Sequence, residues 1–288
     1  MTQINTWSDI SAIANAVQTD AYFIVRKAAL MPTLVTVFND MTGGNLRKSY
    51  KYNSTTAVAV GESDDLASAA FTPSADQTLT PAEIGRQFFI TDLRRDSEAP
   101  ENILTDAARE LGFAAVDKIE NDLIGDMASL TGGTIGAAGT VITWGYVAAA
   151  IAVARGASKS DTVPLACVIH GYQAAVLAKA ASIAGASVVN APATQNEVTA
   201  FGLRQAFTFM GVPVYQSWGS VDANTDFTGG VFPRNALALD WRRPIRVEAE
   251  RDTSRRGLEL NMSAVYAHGV WRPELGVKMI FDAATPTS

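Results

Sequence analysis

Residues 46–92, LRKSYKYNSTTAVAVGESDDLASAAFTPSADQTLTPAEIGRQFFITD, decide how this chain is read. LRKSYKY has the composition of a strand, GESDDLASAAFTPSAD is acidic and alanine-rich, and LTPAEIGRQFFITD returns, so the segment reads as a long two-stranded arm. It has too little apolar content for a core of its own, and too much strand character for disorder. A lone hairpin is marginally stable in water, so order for this arm is expected to come from a neighbouring molecule. Pro73 and Pro81 suit edge strands or bulges, where no ladder N–H is required.

Directly after the arm the period changes. Leu104, Ala108, Leu111, Ala115, Ile119, Leu123 and Met127 recur at helical spacing, while Asp106, Arg109, Glu110, Asp117 and Asp122 lie mainly elsewhere around the helix. Pro100 suits a first turn, Glu98 and Glu101 suit the positive end of the helix dipole, and Gly132-Gly133 follow the end. A helix from Pro100 to Leu130 would be roughly 45 Å long at 1.5 Å per residue, a spine for the whole chain.

Upstream, Ile10, Ile13, Ala14, Val17, Ala21, Ile24 and Val25 predict a helix from Ser8 to about Leu30. Downstream of TGGTIGAAGT, the strand TVITW and the helix TWGYVAAAIAVARG are expected, then the buried strand PLACVIH leading into the helix GYQAAVLAKAAS. A helix around Glu197 to Phe209 and the strand VPVYQSW complete an α/β unit. The last part is β-rich: Ile245, Val247 and Ala249 alternate with Arg246, Glu248 and Glu250. A turn near Arg256-Gly257 leads to Leu258, Leu260 and Met262 alternating likewise, and Val277, Met279 and Phe281 supply a further strand.

Across 288 residues, 48% are hydrophobic and 18% charged, the balance of a soluble globular protein. A net charge of -6 argues against broad wrapping of nucleic acid, which needs clustered Lys and Arg. Cys167 is the single cysteine, so intrachain disulfides, CxxC pairs and cysteine metal clusters are excluded, and a reducing compartment fits. The N-terminus lacks the basic start and apolar run of a secretory signal, and no stretch is apolar for long enough to span a bilayer as a helix.

Motifs for chemistry are sparse. His170 and His268 are the only histidines and lack zinc-site spacing. Cys167 and His170 stand an odd number apart on one strand and so face opposite sides. The glycines 132, 133, 136 and 139 follow a helix and precede an expected strand, the reverse of a phosphate cradle. Glu62, Asp64 and Asp65 lack a calcium-loop signature and read as a solvated acidic loop. Arg242-Arg243 and Arg255-Arg256 have acidic neighbours in Glu248, Glu250, Asp252 and Glu259, which favours salt bridges within or between subunits. No catalytic residue, metal site or cofactor is read from these motifs.

The order of parts resembles the major capsid proteins of tailed bacteriophages, the Johnson fold named from phage Hong Kong ninety-seven. MTQINTWSDISAIANAV looks like the N-terminal arm, residues 45–95 like the extended loop, and APENILTDAARELGFAAVDKIENDLIGDMASL like the spine helix. VPLACVIHGYQAAVLAKAAS is similar to the axial domain, and NALALDWRRPIRVEAERDTSRRGLELNMSAVYAHGVWRPELGVKMI to the returning peripheral strands. The resemblance implies an α+β fold: N-terminal arm 1–44, extended β-hairpin loop 45–95, spine helix and start of the peripheral domain 96–142, axial α/β domain 143–228, peripheral strands and tail 229–288.

It also implies a function. Many copies would form pentamers and hexamers of an icosahedral head, assembled in the host bacterial cytoplasm and becoming the virion capsid around double-stranded DNA held without sequence preference. With the chain starting close to the arm, a separate scaffolding protein is expected, beside a portal and decoration proteins; no membrane is involved. Intersubunit contacts are expected from Arg47, Lys48, Lys51, Glu62, Asp64, Asp65, Arg255 and Arg256. Some family members cross-link a loop lysine to an asparagine, for which Lys48 or Lys51 and Asn261 would be the partners, with no catalytic carboxylate specified beside them. An encapsulin shell shares the same resemblance, and genomic neighbours would separate the two. A cytosolic α/β enzyme would carry its site between Thr143 and Trp218.

Overall fold

The computed structural model describes residues 29–40, 46–52, 55–62, 65–66, 68, 70–97, 103–159, 162–183, 205–222 and 224–286. The helix expected from Ser8 lies, but for its last two residues, outside them.

The predicted spine is present as a helix over Ile103–Asp126, closed by a 3-10 turn at Met127–Ser129. Its 24 residues give about 36 Å of length. Leu111, Ala115, Ile119, Leu123 and Met127 are buried, so the stripe read from spacing is the packed face. The two halves of that stripe serve different cores. Leu111 and Ala115 pack with Ile90, Leu260 and Met262, whereas Ile119, Leu123 and Met127 pack with Val168, Phe227, Phe232, Leu237 and Leu239.

These cores belong to two sheets. In chain order the strands are β1 (Thr36–Phe38), β2 (Arg47–Tyr52), β3 (Pro73–Leu79), β4 (Ala82–Thr91), β5 (Gly133–Gly136), β6 (Leu165–His170), β7 (Gln205–Phe209), β8 (Val212–Ser217), β9 (Asp226–Pro233), β10 (Leu237–Asp252), β11 (Gly257–Val270) and β12 (Val277–Asp282). The helices are α1 (Met31–Leu34), α2 (Asp92–Ser97), α3 (Ile103–Asp126), α4 (Trp144–Ser158) and α5 (Gly171–Ile183). One sheet has the order β1-β10-β11-β4, the other β5-β12-β9-β6-β8-β7, and β2 and β3 form a separate two-stranded ribbon.

The first sheet is dominated by the β10–β11 hairpin, whose turn carries Arg256 at φ 50. The alternation read at Ile245 to Glu250 is only the outer half of a 16-residue strand. Its first four residues, Leu237 to Asp240, are buried at every position and so show no alternation. The register shifts between Arg243 and Arg246, across Pro244, which has no N–H to place in the ladder.

In the second sheet β6 is buried on both faces. Cys167 and Ile169 join the core built with α4 and α5, while Val168 points into the core under α3. Thr143 caps α4, its side chain accepting from the Tyr146 N–H.

Four expectations change. LTPAEIGRQFFITD pairs with LRKSYKY only through Leu79, opposite Arg47: the ribbon partner of β2 is β3, and β4 instead joins β11. The strand expected at TVITW lies earlier, in the glycines, where β5 runs parallel to β12. Glycine is needed there because a Cβ at Gly132 would sit 2.5 Å from the Glu274 carbonyl oxygen, and Gly136 has φ +85. The described end of the helix expected to reach Phe209 is strand β7, turning through Met210-Gly211 into β8. Finally, β12 pairs with β5 and β9 in the six-stranded sheet, apart from the β10–β11 layer.

Candidate functional site

The ribbon β2–β3 and the segment joining its strands stand out because they pack so little. Val58 is 80% exposed, Leu66 76% and Phe71 72%, with Tyr50 and Tyr52 also exposed. Tyr52 and Phe71 stack on one another at 4.7 Å, which gives the arm local shape without burying it. Six large apolar groups on one solvated arm, counting Val60, make a patch that monomeric proteins seldom leave open.

The base of the arm is held far more firmly than its tip. Leu79 is buried against Ala238 and Ala267, with Phe38 and Trp271 closing over them. Arg47 donates through Nε to Asp240 at 3.0 Å, pairs with Asp40, and stacks over Phe38. Asp240 is fully buried and also accepts Arg242 at 2.9 Å. The two carboxylates raise the Arg47 pKa, hydrogen bonds being the main cause. Further along, Lys51 meets Glu274 at 3.2 Å, and Arg272 donates to the Tyr50 carbonyl at 3.2 Å while lying 3.8 Å from Asp76.

Arg47→Ala is therefore expected to loosen the arm. Breaking a buried pair costs roughly 3–5 kcal/mol when the remaining charge is stranded, and Arg242 still neutralises Asp240, so a loss of about 1–3 kcal/mol is expected. Urea unfolding of dissociated subunits measures it, and proteolysis between residues 52 and 73 should accelerate in parallel.

The other residues expected at subunit contacts fall into two places. Lys48, Glu62 and Asp65 are exposed along the arm; Asp64 lies outside the described residues. Arg255 and Arg256 are exposed at the β10–β11 turn, far from the arm's base in register. Arg255 pairs with Glu259 at 3.2 Å and stacks on Phe89, while Asp252 Oδ1 accepts the backbone N–H groups of Ser254 and Arg255. Nearby, Arg251 grips Asp92 with two nitrogens at 2.9 and 2.7 Å and holds that carboxyl below its usual range.

Two charged groups that sequence spacing passed over are structurally central. Glu120 is 1% exposed on α3, and its Oε2 accepts the N–H groups of Leu30 at 3.0 Å and Met31 at 2.8 Å, tying the start of α1 to the spine. His268 on β11 meets Asp126 through Nδ1 at 2.9 Å and lies 3.7 Å from Asp122 through Nε2. Asp122 also accepts the Tyr266 hydroxyl at 2.6 Å and pairs with Lys118, so this cluster fastens α3 to the sheet.

The hydrogen bond to Asp126 is the main reason the His268 pKa is raised; burial and Lys118 act the other way. A raised folded-state value means that the protonated ring stabilises the fold fully below about pH 6.5, its ordinary value, and loses that contribution as pH climbs through the raised value. The stability gap between wild type and His268→Gln is thus expected to be largest at acid pH and to narrow toward alkaline pH, read from urea midpoints across a pH series.

The described residues between Thr143 and Trp218 do not assemble reactive groups. His170 Nδ1 accepts the Tyr172 N–H, and its ring packs among Tyr172, Trp218 and Phe227, where burial lowers its pKa. Cys167 is buried on the opposite face, its thiol pushed up to about 12 by desolvation. Gln173 uses its side chain on the His170 N–H and the Phe281 carbonyl. Among the described residues there is no group of three or more His, Cys, Asp or Glu placed to hold a metal, and no helix is long and apolar enough to cross a membrane.

Several solved structures share this arrangement. The structure is similar to that from Mycobacterium phage Che8 at a TM-score of 0.69 and 16% identity, covering 89% of this chain and 94% of that one. It is similar to the capsid of cyanophage P-SCSP1u at 0.67 and 14%, covering 92% and 91%. It is also similar to the capsid of an empty GTA particle at 0.65 and 16%, covering 96% and 100%. A search of curated protein sequences gives no match. The family profile described as phage capsid protein matches residues 74–279, from the second strand of the arm through α3 and both sheets to β12, and the chain belongs to that family.

Proposed function

We propose that this chain is the major capsid protein of a tailed DNA phage, whose copies close into an icosahedral head. The observation that carries the reading is the arm: a ribbon anchored at its base by Leu79 and Arg47 and exposing Val58, Leu66 and Phe71 beyond it. In a shell those side chains would be buried on an adjacent subunit, which supplies the core the ribbon lacks.

The six-stranded sheet with α4 and α5 is the unit proposed to meet its copies around rings of five and six, the axial role. The β10–β11 sheet takes the peripheral role, α3 the spine, and residues 1–44 the N-terminal arm. Fivefold rings accord with the similar GTA capsid, which was computed with C5 symmetry. A separate scaffolding protein, a portal and decoration proteins belong to the same proposal, as does assembly in the bacterial cytoplasm. A net charge of -6 suits a wall along which packaged DNA slides without binding tightly. Negative-stain microscopy of the purified chain, alone and with its scaffolding protein, tests the reading: closed shells are expected, and a protein that stays monomeric at every concentration in both conditions overturns it.

A further inference from the structure

The glycine-rich stretch after α3 ends beside two facing acids. Asp226, the first residue of β9, stands directly opposite Asp282, the last residue of β12. The Asp282 N–H goes to the Thr140 carbonyl and the Ala283 N–H to that of Thr225, so the two aspartates form a non-hydrogen-bonded pair of the antiparallel ladder. In such pairs the Cα atoms lie about 4.5 Å apart, the side chains come closest, and like charges repel. Asp226 is only 4% exposed. Its Oδ1 accepts the Gly139 N–H at 2.7 Å, but its Oδ2 is buried with no hydrogen-bond partner. Oδ1 of Asp282 accepts the Thr225 hydroxyl at 3.2 Å and the Ala284 N–H at 2.8 Å, leaving Oδ2 for a further partner. No ion pair joins either carboxylate to a Lys, Arg or His among the described residues.

A buried carboxylate oxygen that has neither a donor nor a cation is costly, and a second carboxylate facing it adds to the cost. We propose that Asp226 and Asp282 together hold a calcium ion at the shared end of β9 and β12. Oδ2 of Asp226 and a carboxylate oxygen of Asp282 are the charged ligands, the Thr225 hydroxyl oxygen is a neutral one, and water completes the shell. All are hard oxygen donors. They are carried by a turn and two strand ends, which suits the flexible coordination of calcium better than the strict octahedron of magnesium. With two carboxylates instead of three, the expected Kd is about 10⁻⁴–10⁻³ M. The ion would tie the stability of the six-stranded sheet to calcium, whether or not the chain builds shells.

Urea unfolding of the full chain, as dissociated subunits freed of metal by a chelator, tests the site. Calcium chloride at about 10 mM should raise the folded-to-unfolded ratio about ten- to a hundredfold. Asp226→Asn and Asp282→Asn keep the shape and the Oδ1 acceptor but remove one ligand charge. Without calcium each should be at least as stable as wild type, and with calcium each should gain less than about twofold. A purely structural role gives a different result, variants weaker by the same factor with and without calcium, and that result overturns the site. So does a wild type that calcium leaves unmoved, a gain that both variants keep, or an equal gain in sodium chloride of matched ionic strength. An equal gain in magnesium overturns the assignment to calcium. If Asp226→Asn fails to fold, Asp282→Asn still decides, because its side chain is only half-buried.

Discussion

Replacing residues 55–71 by a short Gly-Ser turn is expected to abolish closed shells while leaving the subunit folded. The deletion removes Val58, Leu66 and Phe71, each worth roughly 1.5–3 kcal/mol when an apolar side chain passes from water to a packed site. Even after the entropy of ordering the arm is subtracted, a loss of about 4 kcal/mol per subunit contact is expected, near a thousandfold in its dissociation constant. The ribbon itself is spared because β3 begins only at Pro73. Within the subunit these tip residues support no core, so the unfolding free energy should change by less than about 0.5 kcal/mol. Sedimentation analysis reads the first effect and chemical unfolding the second. Shells that still close without the tip would remove the arm from the assembly mechanism.

Glu120→Ala should be the most damaging single substitution inside the subunit. The carboxylate accepts two amide N–H groups from the entry to α1, and its burial keeps bulk solvent from replacing it. Stranding each donor costs roughly 1–3 kcal/mol, so a total of about 2–6 kcal/mol is expected. Glu120→Gln keeps an acceptor of the same shape but loses the charge, and should cost about half as much. Met31 is fully buried in the core that also holds Ile119 and Leu123, so the damage should spread into the packing of α3. Urea unfolding of dissociated subunits gives the ranking; equal losses for Ala and Gln would show that the charge, not the acceptor geometry, matters.

These two sites show what the sequence makes visible. The arm was legible because strand composition, acidity and missing core residues all lie within one continuous stretch. So was α3, whose buried Leu111, Ala115, Ile119 and Leu123 follow a single local period. The outer half of β10, the first half of β11 and all of β6 follow the same logic. Glu120 was hidden, since a charge in a helix pattern is read as solvated and its partners lie 89 and 90 residues away. Asp240 was hidden likewise, its partner Arg47 being 193 residues distant.

Strand pairing was the other blind spot. Two strand-like runs flank the acidic tip, and nearest-neighbour pairing joins them by default, yet β4 finds a longer partner in β11 and leaves β3 to β2. At β7, Phe207 and Phe209 pack on Trp144 from alternate positions, a period of two too short to stand out before the turn at Met210-Gly211.

The central claim is that the arm of one subunit is completed by the body of the next. A cryo-electron microscopy reconstruction of shells formed by the full chain tests it most directly. Ordered density for residues 55–72 lying across an adjacent subunit, with Leu66 and Phe71 buried there, is the predicted result; a tip that folds back on its own subunit or projects unburied from a closed shell would contradict it.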